Sequence, residues 1–182
     1  WVAVDPDFQI FRRLHRGEIP PALSQVFGSD STVVVIGSGC APDVAGALRE
    51  LAAGWSDNHD QVVVEEADFT GPNGRGVWLF GEGALADRLF AETRSFGDLP
   101  VEFRAKASAA NQTLVACFRD GGTEGIPWTV VLPADASVVE ALGRKLPHYG
   151  GYSYLVFDGE TNVDKGSWAV TKSPLRLDLM EE

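Results

Sequence analysis

Pro127-Trp-Thr-Val-Val-Leu132, with the residues that follow it as far as Gly159, decides the fold class of this chain. The first six residues are mostly apolar or β-branched, which is typical of a buried strand. The segment from Ala134 to Lys145 comes next and predicts a helix. Its apolar residues recur at helical spacing, and they are Val138, Val139, Leu142 and Leu146.

A second strand closes this unit. Pro147-His-Tyr-Gly-Gly151 interrupts the helix, and Tyr152-Ser-Tyr-Leu-Val-Phe157 is apolar up to the turn at Asp158-Gly159. Two strands buried on both faces and joined through a helix are most simply parallel neighbours in a covered sheet. The sequence therefore predicts an α/β fold.

Composition limits the class of protein and of partner. The chain has 182 residues, 45% of them hydrophobic and 23% charged, which suits one globular domain. Its apolar runs are shorter than the roughly 20 residues that span a bilayer, so we expect no membrane span. The net charge of −11, from 15 basic and 26 acidic residues, argues against a nucleic-acid partner, which requires a basic face.

A second strand and helix form the most function-like local pattern. Thr32-Val-Val-Val-Ile36 predicts a buried strand, and a helix from Pro42 to Gly54 is predicted after the loop that contains Gly37, Ser38 and Gly39. Amides at a helix start receive anions, so Gly37–Cys40 is an alternative anion or nucleotide site. The third glycine and the lysine of phosphate-binding loops are missing, which favours a structural loop.

Cys40 stands where a helix amino terminus lowers a thiol pKa, and this makes it the alternative catalytic residue. A nucleophile needs a base, for which His59 and His148 are the candidates. Cys117 lies in a predicted strand, Gln112–Phe118. Three readings stay open, namely two inert buried thiols, a disulfide in an exported protein, and a catalytic Cys40.

The remaining elements follow from shorter patterns. Phe8 to Arg16 predicts a helix with Asp7 as its cap and Phe8, Phe11 and Leu14 on one face. Val101–Arg104 alternates apolar and charged residues and predicts a strand near an edge. Further elements are strands at Trp1–Val4, Gln61–Val64 and Gly76–Phe80, a helix from about Gly83 to Arg94, and a solvated connector at Asp120–Gly125.

Aromatic residues near the second strand suggest a partner surface. His148, Tyr149, Tyr152 and Trp168 combine contact area with polar groups, as residues at protein interfaces do. Strand alternation places Tyr152 and Tyr154 on one face, with Tyr154 and Phe157 favoured as core residues.

Two stretches resemble a known family. Val4-Asp-Pro-Asp-Phe-Gln-Ile-Phe-Arg-Arg-Leu14, followed by Glu18-Ile-Pro-Pro21, looks like the segment that ends the β-sandwich behind the catalytic region of exported bacterial zinc metallopeptidases of the gluzincin aminopeptidase type. Leu146–Phe157, with Asn162, Lys165-Gly166, Trp168 and Ser173-Pro-Leu175, is similar to the closing stretch of their C-terminal module.

The resemblance implies an accessory module without a peptidase centre. The catalytic pattern His-Glu-x-x-His is missing, and His15, His59 and His148 stand far apart, so no zinc site is carried over and no metal or cofactor is expected. The implied setting is periplasmic or extracellular. The implied partner is a catalytic domain upstream of Trp1, or another protein.

These observations predict one α/β domain with a mixed, mostly parallel sheet covered by helices. Residues 1–30 are expected to form a strand remnant and helical linker, residues 31–175 the α/β domain, and residues 176–182 an acidic tail. The leading function is a non-catalytic accessory or interaction domain. The alternatives are a small cysteine-dependent hydrolase or transferase using Cys40, and an anion or nucleotide binder at Gly37–Cys40.

Overall fold

The computed structural model describes residues 2–7, 9–55, 60–92, 99–120, 125–169 and 173–177. Its main element is a seven-stranded sheet with helices on both faces, which confirms the predicted α/β fold and mixed sheet. Phe8, His59, Thr93, Arg94 and the predicted tail beyond Leu177 lie outside the described residues, as does most of the connector after Asp120.

Nine strands are described. The large sheet has the order β3-β2-β4-β6-β5-β7-β8, and β1 and β9 form a separate antiparallel pair. The bounds are β1 Val2–Ala3, β2 Ser31–Ile36, β3 Asp60–Glu65, β4 Gly76–Phe80, β5 Thr113–Asp120, β6 Ile126–Leu132, β7 Tyr154–Asp158, β8 Thr161–Gly166 and β9 Arg176–Leu177.

Five α-helices are described, and their bounds are α1 Leu23–Phe27, α2 Pro42–Trp55, α3 Ala84–Glu92, α4 Leu99–Ala109 and α5 Val139–Lys145. Single 3-10 turns occur at Arg16–Glu18, Glu66–Asp68, Ala136–Val138 and Leu146–Tyr149. The 3-10 turns at 136–138 and 146–149 adjoin the two ends of α5. The helix predicted from 134 to 145 is therefore observed as α5 together with these two turns.

The two strands that decided the fold class are parallel, but they are not neighbours. Strand β5 lies between β6 and β7 and pairs antiparallel with both. Among the described strands of the large sheet, three pairings are parallel and three are antiparallel, so the parallel share is smaller than predicted. The insertion of β5 pairs residues far apart in sequence, which local patterns do not reveal.

Strand alternation divides the apolar residues between two cores, one on each face of the sheet. In the first core Val34 and Ile36 pack with residues of α1, α2 and α5, including Leu23, Leu48 and Leu142. In the second core their neighbours Val33 and Val35 pack with residues of α3 and α4. Burial on both faces explains why β2, β4 and β6 read as continuous apolar runs.

The prediction of a strand at Val101–Arg104 is wrong, because these residues lie in helix α4. Phe103 and Ala107, one helical turn apart, both pack on the second core, where the Phe103 ring lies 4.4 Å from the Tyr154 ring. Four alternating residues were too few to separate a strand from a helix with a narrow apolar face.

The prediction of a helix over Phe8–Arg16 is also wrong for its described residues, which are irregular as far as His15. Asp5, not Asp7, accepts hydrogen bonds from the backbone there, at the amides of Gln9 and Ile10. The first strand pairs within the chain, because Val2–Ala3 forms an antiparallel pair with Arg176–Leu177.

Candidate functional site

The carboxyl ends of β2 and β4 form the place where a parallel sheet usually binds ligands. The chain passes from β2 to β3 on one side of β2 and then returns to β4 on its other side. At such a reversal the loops after the two strands diverge and leave a crevice. Here those loops are Gly37–Cys40 after β2 and Gly81–Gly83 after β4.

A carboxylate of the chain itself occupies this crevice. Glu66 Oε2 accepts hydrogen bonds from the Ser38 amide at 2.7 Å and from the Ser38 hydroxyl, and Glu66 Oε1 accepts one from the Leu85 amide at 2.5 Å. Burial alone raises the pKa of the Glu66 carboxyl, but these hydrogen bonds outweigh it and hold the pKa below its ordinary value. The amides expected to receive an anion are thus bonded to an internal one.

The other amides of the first loop also have acceptors within the chain. Gly37 donates to the Phe80 carbonyl at 2.8 Å, Gly39 to the Glu82 carbonyl at 2.8 Å, and Cys40 to the Gly37 carbonyl at 3.3 Å. Any side chain at Gly37 would place its Cβ only 2.2 Å from the backbone carbonyl oxygen of Glu82. The glycines therefore allow two loops to pack closely, which is a structural role.

Cys40 has the electrostatics of a thiol and not of a thiolate. Burial raises the pKa of the Cys40 thiol, and the negative charge of Glu82 raises it further. Its Sγ lies 3.7 Å from the Phe80 carbonyl oxygen, and both cysteines are free. The pKa of Cys40 is thus raised and not lowered as predicted, because burial and the charges of Glu82 and Glu66 outweigh the Glu82 backbone hydrogen bond and the Arg49 charge.

The fold also separates Cys40 from one of its two candidate bases. Cys40 follows the carboxyl end of β2, whereas His148 precedes the amino end of β7, which runs parallel to β2. Cys40 and His148 consequently lie at opposite ends of these parallel strands. His59, the second candidate, lies outside the described residues.

The predicted aromatic partner surface is not one surface. Trp168 is 2% exposed in the second core and donates from Nε1 to the Cys117 carbonyl at 2.8 Å. Tyr149 and Tyr152 pack on the first core, on the other side of the sheet. Trp168 is therefore a core residue, and including it in a partner surface was wrong.

Tyr149 and Tyr152 have a local role instead. The Lys165 ammonium lies 5.3 Å from the Tyr149 ring and 5.0 Å from the Tyr152 ring, as a cation–π contact requires. Tyr152 precedes β7, so it faces the first core while Tyr154 faces the second. The expectation that these two tyrosines share a face was wrong for this reason.

A small polar cleft lies beside α4. It has a volume of about 130 Å³, and Glu82, Arg104, Asn111 and Gln112 line it. Arg104 pairs with Glu82 and, at 2.7 Å, with Asp87, so its charge is balanced within the chain. Since small-molecule pockets usually measure about 300–1,000 Å³, this cleft is too small for a substrate of ordinary size. The sequence did not indicate this cleft, because Val101–Arg104 was predicted as a strand and not as part of a helix.

The N-terminal segment presents the clearest exposed apolar group of the described chain. Phe11 is fully exposed, and Ile10 beside it is 57% exposed. Their segment is fixed by the Arg12 guanidinium, which pairs with Glu18 at 2.8 Å and with Asp5 at 3.1 Å. The exposed residues Arg13 and Arg16 give this surface a positive rim.

Glu18 is the buried centre of that segment. Its side chain is fully buried, and the Arg12 and Ser173 hydrogen bonds lower the pKa of Glu18 to about 2. The His15 amide also donates to it at 2.8 Å. Composition gave no sign of this role, because a lone glutamate beside two prolines is typical of a solvated turn.

Within the part of the chain that the structure describes, no three His, Cys, Asp or Glu side chains converge on a common metal position. No described helix has the length and apolar character needed to cross a membrane. Neither a scan against protein-family models nor a search of curated proteins gave a match to this chain.

Proposed function

We propose that this chain is a non-catalytic accessory or interaction domain of an exported, peptidase-like protein, with an upstream catalytic domain or a separate protein as its partner. The observation that carries the proposal is the exposed pair Ile10 and Phe11 on a segment fixed by Arg12 and Glu18. Burial of a phenylalanine side chain on association contributes about 1.5–3 kcal/mol of binding free energy. Phe11 is exposed to solvent in this chain, so this contribution is available to a partner.

Preorganisation supports this role for the segment. A binding loop that is already ordered loses little conformational freedom on association, so more of the contact energy appears as affinity. Asp5, Arg12 and Glu18 supply that order through hydrogen bonds and ion pairs. An aromatic anchor inside a charged rim is also the usual composition of an interaction hot spot.

The two stretches that carry the resemblance to the peptidase family contact each other. The Val4 amide donates to the Leu175 carbonyl at 3.0 Å, and the Ser173 hydroxyl donates to Glu18. This contact supports treating the N-terminal segment and the closing stretch as one unit. Exposure of Phe11 on this unit suits a domain that rests against a neighbour.

The absence of catalytic activity is supported by the crevice at β2 and β4. Its amides bond to Glu66 and to backbone carbonyls, and the Cys40 thiol is held protonated. We expect the purified chain to hydrolyse neither peptide nor ester substrates and to transfer no group through a thiol. Turnover that disappears in Cys40→Ser would overturn the non-catalytic role.

A binding experiment tests the interaction. The natural coding sequence is read upstream of Trp1, any encoded domain is expressed separately, and this chain is titrated into it by calorimetry. Phe11→Ala should weaken binding by about 2 kcal/mol or more, roughly thirtyfold in Kd. Val163→Ala, at a position that is 51% exposed on strand β8, is the control. An unchanged Kd in Phe11→Ala would contradict the proposed surface.

Location is tested independently. Fractionation of cells that express the full natural reading frame should place the protein in the periplasm or the medium. Recovery of the protein in the cytoplasm would contradict the exported setting and leave the Phe11 surface to be judged by the titration.

A further inference from the structure

Strand β3 is an edge strand whose central residues are apolar and exposed. Among the described residues only β2 pairs with it, along its inner side. Val62 is 41% exposed and Val63 is 43% exposed, on opposite faces of the sheet. Within the described part of the chain, the outer side of this edge therefore offers backbone groups without a strand partner together with apolar side chains, which is a template for another strand.

The opposite edge of the same sheet is protected and provides an internal comparison. Strand β8 alternates exposed and half-buried residues, includes Asp164 and Lys165, and pairs with β7 through an irregular register near Val156 and Phe157. Charges and bulges are common devices that prevent edge pairing. Strand β3 has a continuous six-residue register with β2 and no charge between Gln61 and Val64.

The charges at the two ends of β3 are balanced within the chain. Arg75 pairs with Asp60 at 3.0 Å, and Arg49 pairs with Glu65 at 2.7 Å. Each acidic end residue thus carries its own counterion. The acidic ends of the strand consequently present less repulsion to an approaching strand than their charges alone suggest.

We infer that the β3 edge pairs with the β3 edge of a second copy of this chain, antiparallel and about a two-fold axis at Val63. A two-fold axis perpendicular to the sheet keeps every side chain on its own face, so the residue at the axis faces itself. With Val63 at the axis, Val62 lies opposite Val64 of the second copy, and Gln61 lies opposite Glu65. Valine meets valine, and amide meets carboxylate.

Self-complementarity is the reason to choose a second copy over an unrelated strand. In this register the only carboxylate within the paired region faces an amide, and directly opposed like charges are avoided. Asp60 lies opposite position 66, beyond the end of β3, and the Glu66 carboxylate there is bonded to the Ser38 and Leu85 amides of its own chain. Long-range repulsion between two chains of charge −11 remains, so pairing should strengthen when salt screens it.

Sedimentation velocity on the intact chain is the first test. We expect a concentration-dependent dimer whose association is stronger at ~1 M salt, where the Debye length is about 3 Å, than at ~0.01 M, where it is about 30 Å. A chain that remains monomeric at both salt concentrations throughout the accessible protein range would overturn the inference.

Charge variants at the axis test the register. Val63→Lys and Val63→Glu each place like charges opposite each other, so each variant alone should be monomeric. An equimolar mixture of the two should restore the dimer, because lysine then faces glutamate, and salt should strengthen this mixed dimer less than it strengthens the wild-type dimer. Val163→Lys on β8 is the matched control and should leave the dimer unchanged.

Circular dichroism and denaturant melts serve to check that each variant is folded. Because Val63 is exposed, we expect both charged substitutions to be compatible with folding. A dimer that persists in Val63→Lys would place the interface elsewhere and overturn the inference. A mixture that remains monomeric while both parents are monomeric would overturn the self-pairing at Val63.

Discussion

The Ser173 hydroxyl donates a hydrogen bond of 2.5 Å to the Glu18 carboxylate, although 155 residues separate the two in sequence. Glu18 also pairs with Arg12 and accepts from the His15 amide. The two ends of the described chain are thereby joined at one buried carboxylate, beside the β1–β9 pair. This junction fixes the segment that exposes Phe11.

Glu18→Gln should destabilise the protein. The change removes the charge that balances Arg12 and weakens its hydrogen bonds. Removal of one partner from a buried ion pair costs about 3–5 kcal/mol, and partial exposure of Arg12 favours the lower end, about 3 kcal/mol. Denaturant unfolding provides the measurement. Glu140→Gln in the exposed pair with Arg144 is the control and should change stability by less than about 0.5 kcal/mol.

The Glu18 contribution should depend on pH in the acid range. Hydrogen bonds from Arg12 and then Ser173 lower its pKa from 4.5 to about 2 in the folded protein. The unfolded state therefore takes up this proton first as pH falls, so the stabilisation is complete above pH 4.5 and is lost toward pH 2.

Unfolding free energies across this range provide the measurement. The difference between wild type and Glu18→Gln should shrink as pH falls through the window. A difference that stays constant down to pH 2 would show that Glu18 does not titrate as its contacts require.

Glu66→Gln should weaken the contact between the loops after β2 and β4. Hydrogen bonds to a charged acceptor contribute about 1.5–3 kcal/mol, and the partial exposure of Glu66 favours the lower end, about 1.5 kcal/mol. Thermal or denaturant melts would detect this loss. Glu140→Gln, which alters the exposed pair with Arg144, serves as the control. Equal losses in the two variants would contradict the role assigned to Glu66.

Native-state alkylation should distinguish the two cysteines from an activated thiol. Burial raises the pKa of Cys40 above its ordinary value and that of Cys117 to about 12, so neither forms much thiolate at neutral pH. Mass spectrometry after iodoacetamide treatment should show slow labelling of Cys40 and no labelling of Cys117. Both should react in denaturant. Rapid labelling of native Cys40 would restore the cysteine-enzyme alternative.

Phe157→Ala should test the centre of the first core. Phe157 is fully buried, and its ring lies 5.9 Å from the Tyr149 ring. Truncation of a buried phenylalanine costs about 3–5 kcal/mol, because it removes apolar contacts and leaves a cavity. The exposed Val163→Ala is the control, expected within about 0.5 kcal/mol. A loss in Phe157→Ala below about 1 kcal/mol would show that β7 is not central.

Local sequence patterns determined the elements that are long or strongly apolar. Strands β2, β4 and β6 and helix α2 were predicted within one or two residues, because both faces of these strands are buried and α2 has a wide apolar face. Val101–Arg104 was misread because four residues carry too little periodicity. The Phe8–Arg16 prediction failed because hydrogen bonds to Asp5 and Glu18 replace helical ones.

Tertiary structure alone decided the features that bear on function. The position of β5 between β6 and β7, the insertion of Glu66 beneath Ser38, and the contact of Ser173 with Glu18 all join residues distant in sequence. Such pairings depend on how whole elements pack, and the sequence pattern around each partner is independent of the other. For that reason the sequence indicated the strands and helices of this α/β domain, while folding determined that Phe11 lies in solvent and Trp168 in the core.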